Sequence, residues 1–149
     1  MGFSTFEIQG FNSQNVNSIL GDQTRVTIAI MIIDFYKALE ILGMDKRTDI
    51  YDIAISEWII GNGIDLLSAW EPLIAPLGIK ERFKVPLASY PPYLTEMDII
   101  EFSKVPIHIL IEEKDNWVTA SACEDLVRDL SGSYVDIRIT VYANAHHGF

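Results

Sequence analysis

The sequence predicts an α/β domain with a mainly parallel sheet flanked by helices. Three observations lead there. The 149 residues are 49% hydrophobic and 21% charged, enough to bury a real core and too apolar for a disordered chain. Compact apolar runs alternate with stretches of helical periodicity, the pattern of strand–helix–strand units. Glycine (9) and proline (6) are too few for collagen-like or low-complexity chains and serve here as punctuation between segments.

Each element can be justified in chain order. Residues 3–8 alternate weakly (Phe3, Phe6, Ile8) and are expected to form a short strand. Residues 9–21 are rich in Asn, Ser, Gln and Gly and read as a loop. Asp22 has the character of an N-cap, and Val26, Ile30, Ile33 and Ile41 recur at helical spacing, so residues 23–42 are expected to form one buried helix with Gly43 as its stop. Residues 52–58 form a buried strand around Ile53, Ala54 and Ile55, followed by Gly61-Asn62-Gly63 and a short helix over residues 64–70. Residues 85–90 form a strand stopped by Pro91-Pro92. Val105 to Ile111, V-P-I-H-I-L-I, is a strong buried strand. Ser121 to Leu130 is a helix with Ala122, Leu126, Val127 and Leu130 on one side, and Val135 to Tyr142 is the last strand. One domain over residues 1–149 follows, without linker or repeat.

Charge and cysteine content exclude several functions. A net charge of −10 with 11 scattered basic residues disfavours nucleic acid as a partner. The longest apolar run, Val26 to Ile33, is far short of the ~20 residues a membrane span needs. The lone Cys123 can form neither an internal disulfide nor a cysteine-based zinc site, which suits a reducing, cytoplasmic setting.

In parallel sheets, chemistry sits at the carboxyl ends of the strands. The two late carboxyl-end loops hold Asp115 and His146-His147. An aspartate that orients a histidine is the base half of a nucleophilic triad. No metal ligand spacing is evident among His146, His147 and the nearby acids. Other chemically able residues have plainer expected roles. His108 is a satisfied strand residue, Cys123 packs on the sheet, Ser56 faces sheet packing, and Asp34 and Asp65 face solvent or cap loops. Trp58, Trp70 and Trp117 are expected to pack, and Ser4 lacks the flanks of a nucleophile turn.

These segments resemble the dienelactone hydrolase family of the α/β-hydrolase fold. V-P-I-H-I-L-I-E-E-K-D-N-W resembles the family's strand-plus-acid segment, Ser89-Tyr90-Pro91-Pro92 its Tyr-Pro segment, and V-Y-A-N-A-H-H-G-F its histidine segment. The family pattern Tyr-x-x-Ala-x-His-x-Phe falls on His147, not His146. The resemblance implies a partial α/β-hydrolase fold covering the later two-thirds of the family domain. It implies ester or lactone chemistry without a cofactor, with Asp115 and His147 in the acid and base roles. The sequence departs from the family at the nucleophile turn, Gly-x-Ser/Cys-x-Gly-Gly. Glu57-Trp58-Ile59-Ile60-Gly61-Asn62 stands there, with Ile59 at the nucleophile position. The chain also begins at what resembles a middle strand, so the strands and oxyanion loop ahead of it are unmatched. The reading is therefore an impaired hydrolase. Two alternatives are a binding or scaffold protein that pairs with a partner chain or second copy along an open sheet edge over residues 3–8, and the remnant of a disrupted gene.

Overall fold

The computed structural model describes residues 3–8, 26–57, 63–91 and 101–148. Four parallel strands in the order β1-β2-β3-β4 form the sheet: β1 (Ile55–Glu57), β2 (Pro86–Ser89), β3 (Ile107–Glu112) and β4 (Ile137–Tyr142). The helices are α1 (Ile28–Met44), the one-turn helices α2 (Ile64–Leu67) and α3 (Glu71–Ile74), and α4 (Ala120–Asp129). The expected α/β class, with helices between parallel strands, is what the chain adopts.

Several boundaries differ for physical reasons. Helix α1 is capped by Thr27, whose side chain accepts the Ile30 N–H. Asp22 lies outside the described residues. The helix runs through Gly43 to Met44, with Asp45 as C-cap. At Gly43 the missing Cβ is what matters, since an added one would collide with the Ile50 side chain. The strand expected over 52–58 starts only at Ile55, after a 3-10 turn at Ile50–Asp52 that Asp49 caps; Trp58 lies outside the described residues. The expected helix over 64–70 splits into α2 and α3. Gly63 opens α2 in the left-handed region (φ 75°), and Pro72 sits in the first turn of α3.

Residues 3–8 are not a strand. Phe3 and Phe6 are solvent-exposed, so the weak alternation buries no face against the sheet. The sheet edge expected there is absent; the outer strands among the described residues are β1 and β4.

Two apolar clusters hold the fold. Ile107, Ile109 and Ile111 point from one face of β3 onto Cys123, Leu126 and Leu130 at α4. Ile32, Tyr36 and Leu39 of α1 pack with Ile55, Ile64, Ile74 and Phe83. Each fully buried isoleucine contributes about 1.5–3 kcal/mol by leaving water. The opposite face of β3, His108 and Leu110, is only half-buried, so V-P-I-H-I-L-I covers one face rather than two. No helix is long and apolar enough to cross a membrane among the described residues.

Candidate active site

The full pairing of β3 with β4, from Ile107↔Ile137 to Glu112↔Tyr142, sets the following loops side by side. Backbone bonds continue past the strands: the Glu113 N–H donates to Tyr142 O (3.1 Å) and the Lys114 N–H to Ala145 O (2.9 Å). The Glu113 carboxylate also accepts the Asn144 N–H at 2.8 Å. Asp115 and His147, 32 residues apart in sequence, therefore meet at the carboxyl end of the sheet.

The His147 Nδ1–H donates to Asp115 Oδ2 at 2.7 Å. The Asp115 side chain is fully covered and that of His147 is 15% exposed. Asp115 Oδ1 accepts the backbone N–H groups of Trp117 (2.7 Å) and Val118 (2.9 Å). Burial pushes the Asp115 carboxyl up, but the His147 bond and these two N–H groups outweigh it and hold it below its ordinary value. The His147 ring stacks on Trp117, with centroids 4.8 Å apart, and meets Tyr90 at 5.0 Å in a tilted contact. Tyr90 has φ 43° where it leaves β2, and its N–H donates to Leu110 O at 2.7 Å. Such a backbone costs on the order of 1–3 kcal/mol and is held by its surroundings. Burial first, then the charges of Glu112 and Asp115, raise the Tyr90 hydroxyl above its usual range. With Nδ1 engaged, His147 Nε2 is the ring's proton-accepting atom; it is buried and has no hydrogen-bond partner.

The structure also gathers Glu112 to this pair, a residue the sequence reading did not single out. One oxygen of Glu112, one of Asp115 and a ring nitrogen of His147 lie within 4.8 Å of one another. Glu112 is completely buried, and its Oε1 accepts the Gly148 N–H at 3.0 Å. The signal was a charged residue closing an otherwise apolar strand. The spacing 112, 115 and 147 hid the grouping, because only strand pairing closes it.

The remaining candidates lie as follows. Ile59, with Trp58, Ile60, Gly61 and Asn62, lies outside the described residues. His146 is exposed, as expected. His108 Nε2 pairs with Thr140 Oγ1 at 2.8 Å, the satisfied strand histidine expected. The Ser56 Oγ is buried with no hydrogen-bond partner. Ser4 is exposed in an irregular segment. Cys123 is fully buried, its Sγ–H directed at Pro91 O (3.7 Å). Burial, reinforced by the charges of Asp115 and Glu124, pushes its thiol up to about 12, which suits packing and not nucleophilic attack. Three expectations fail. Asp34, on α1, is half-buried, and its Oδ2 is covered with no hydrogen-bond partner rather than facing solvent or capping a loop. Asp65 is buried rather than solvent-facing, because α2 turns it inward: its Oδ1 accepts the Leu66 N–H at 2.7 Å. Burial first, then the Glu57 charge, raises its carboxyl well above the ordinary value. Trp117 is 75% exposed, covering the His147 ring instead of packing in the core.

A family model described as the dienelactone hydrolase family matches residues 75–149, half of the chain and the half that holds both loops. The chain belongs to the dienelactone hydrolase family. Solved structures agree on the fold. The apo form of Thermogutta terrifontis esterase 2 superposes with a TM-score of 0.68 at 16% identity, covering 87% of this chain and 59% of the esterase. MGS-M1, an α/β hydrolase enzyme from a Medee basin deep-sea metagenome library, superposes at 0.59 with 19% identity, covering 78% of this chain and 50% of that one. The chain thus spans little more than half the length of these structures. A search of curated proteins found no significant match.

Proposed function

We propose that this chain is a dienelactone-hydrolase relative that keeps the acid and the histidine of ester and lactone hydrolysis and lacks the nucleophile. The observation that carries the reading is the 2.7 Å bond from His147 Nδ1 to a fully covered Asp115, which leaves Nε2 as the accepting nitrogen. In this chemistry a hydroxyl or thiol attacks the carbonyl carbon, the histidine takes its proton and returns it to the leaving group, and the aspartate fixes the tautomer. Asp115 and His147 suit the last two roles.

The first role falls by motif to Ile59, a side chain with no proton to give and no lone pair to attack with. Removing a triad serine costs about 10⁶ in rate. Two glycine positions of the family's nucleophile turn hold Glu57 and Asn62, so a serine at position 59 alone would not rebuild that turn. Substrates of the site would be small esters or lactones, with catalysis impaired. Residues 1–149 act in this reading as one domain, the later part of the family domain, and the single free cysteine fits a cytoplasmic setting. The test is p-nitrophenyl acetate turnover by the native chain and by Ile59→Ser. Both are expected near the buffer background; robust turnover by either would refute the reading.

A further inference from the structure

We infer that the outward face of α1 docks a second copy of this chain, the two helices pairing antiparallel. Ile33, Lys37, Ile41 and Met44 lie at i, i+4, i+8 and i+11 along α1 and so share one face. The three apolar members are 41%, 59% and 72% exposed. The core-facing side chains of the helix, Ile32, Tyr36 and Leu39, lie on another side. Tyr51, also exposed, stands in the 3-10 turn that packs on the end of α1 where Ile50 meets Gly43. Among the described residues, no other α-helix exposes a large apolar side chain. Exposed apolar surface gathered in this way marks an interaction site.

The charges on this face say what covers it, because the stripe is complementary to itself. Glu40 borders the stripe and pairs with Lys37 of its own helix at 2.7 Å, both side chains being exposed. In an antiparallel pair with the two-fold axis beside Ala38 and Leu39, Ile33 meets Met44 of the second copy and Lys37 meets Glu40 of the second copy. The symmetry makes each contact twice, and two surface ion pairs become one network of four charges across the seam. Parallel pairing would set Lys37 against Lys37 and Glu40 against Glu40, which is repulsive. The apolar members drive association and the charges select the register. A helix of 17 residues is about 25 Å long, so the interface is small and the dimer a weak, reversible one.

Sedimentation velocity of the full chain from ~5 to ~500 µM tests the surface, in the range where a small interface associates. The expected result is a reversible monomer–dimer equilibrium. Met44→Glu, which places a charge against Ile33 of the second copy, and Lys37→Glu, which leaves only acids across the seam, should each weaken it by about tenfold or more with native circular dichroism. Lys37→Glu combined with Glu40→Lys should restore it to within about threefold of the native chain. Leu77→Ser, exposed on another element, should leave it unchanged. Where Met44→Glu does not fold, Ile41→Lys takes its place with the same expectation. A chain that stays monomeric across the range would overturn the inference and leave the stripe to a partner of other chemistry. A dimer indifferent to Met44→Glu or to Lys37→Glu, one that the charge reversal fails to restore, or one lost in Leu77→Ser would overturn it as well. The surface uses no residue of the Asp115–His147 pair, and none of these results bears on the missing nucleophile, which covalent labelling tests.

Discussion

Replacing Asp115 separates what its carboxylate does for the fold from what it does for the histidine. It accepts three bonds, from the Trp117 and Val118 N–H groups on Oδ1 and from His147 Nδ1–H on Oδ2. A hydrogen bond to a charged group is worth about 1.5–3 kcal/mol when its partner cannot be resolvated. Asp115→Asn keeps a carbonyl for the two backbone donors and loses the charged bond to His147, so it should cost about 1.5–3 kcal/mol. Asp115→Ala strands all three donors. Because water reaches the loop N–H groups in part, its cost should be about 3–6 kcal/mol, a large share of a domain's ~5–15 kcal/mol. Urea unfolding at neutral pH reads both values. The sign of the pH dependence follows from the lowered native pKa: the stabilisation is present above the ordinary carboxyl range and is lost as pH falls through the native value. The gap between native chain and Asp115→Asn should therefore close in acid. Equal stability of all three proteins at pH 7, or a gap that widens in acid, would refute the reasoning.

Two further predictions concern buried groups. Burial and the charges of Asp115 and Glu124 push the Cys123 thiol up to about 12, so iodoacetamide labelling of the folded chain at pH 8 should be slower than in urea by roughly two orders of magnitude or more; equal rates would contradict the burial. Asp65 has the opposite sign to Asp115. Its native carboxyl lies well above the ordinary value, so the folded state holds a proton the unfolded state gives up, and stability falls as pH rises above about 4. Asp65→Asn, which keeps an acceptor for the Leu66 N–H, should raise Tm at pH 8 and leave it near native at pH 4; a loss at pH 8 would show that the carboxylate itself is needed.

The parts legible in the sequence were those fixed by local periodicity and by motif. The apolar run Val105 to Ile111 announces β3, though not that only Ile107, Ile109 and Ile111 are fully buried, and Leu126 and Leu130 announce the face of α4 that covers it. The meeting of Asp115 with His147 followed from one rule, that adjacent parallel strands share a carboxyl end. Residues 3–8 misled because an alternation of three apolar residues is too short to outweigh the lack of a partner surface. Asp65 misled because an acid on a helix is ordinarily solvated, and only the turn after Gly63 drives it inward. Glu112 was hidden because its neighbour is 36 residues away: its bond to Gly148 exists only once β3 and β4 are paired. The exposure of Trp117 is likewise set by its stacking on His147, a contact between two loops that no local pattern encodes.

The central claim is that this family member keeps its acid–base pair without a nucleophile. The most direct measurement is intact-mass spectrometry of the folded chain after incubation with a fluorophosphonate. The claim predicts an unmodified mass on protein that circular dichroism shows to be folded. A covalent adduct that disappears in His147→Ala would contradict it: a nucleophile would then be working with His147, and peptide mapping would name it.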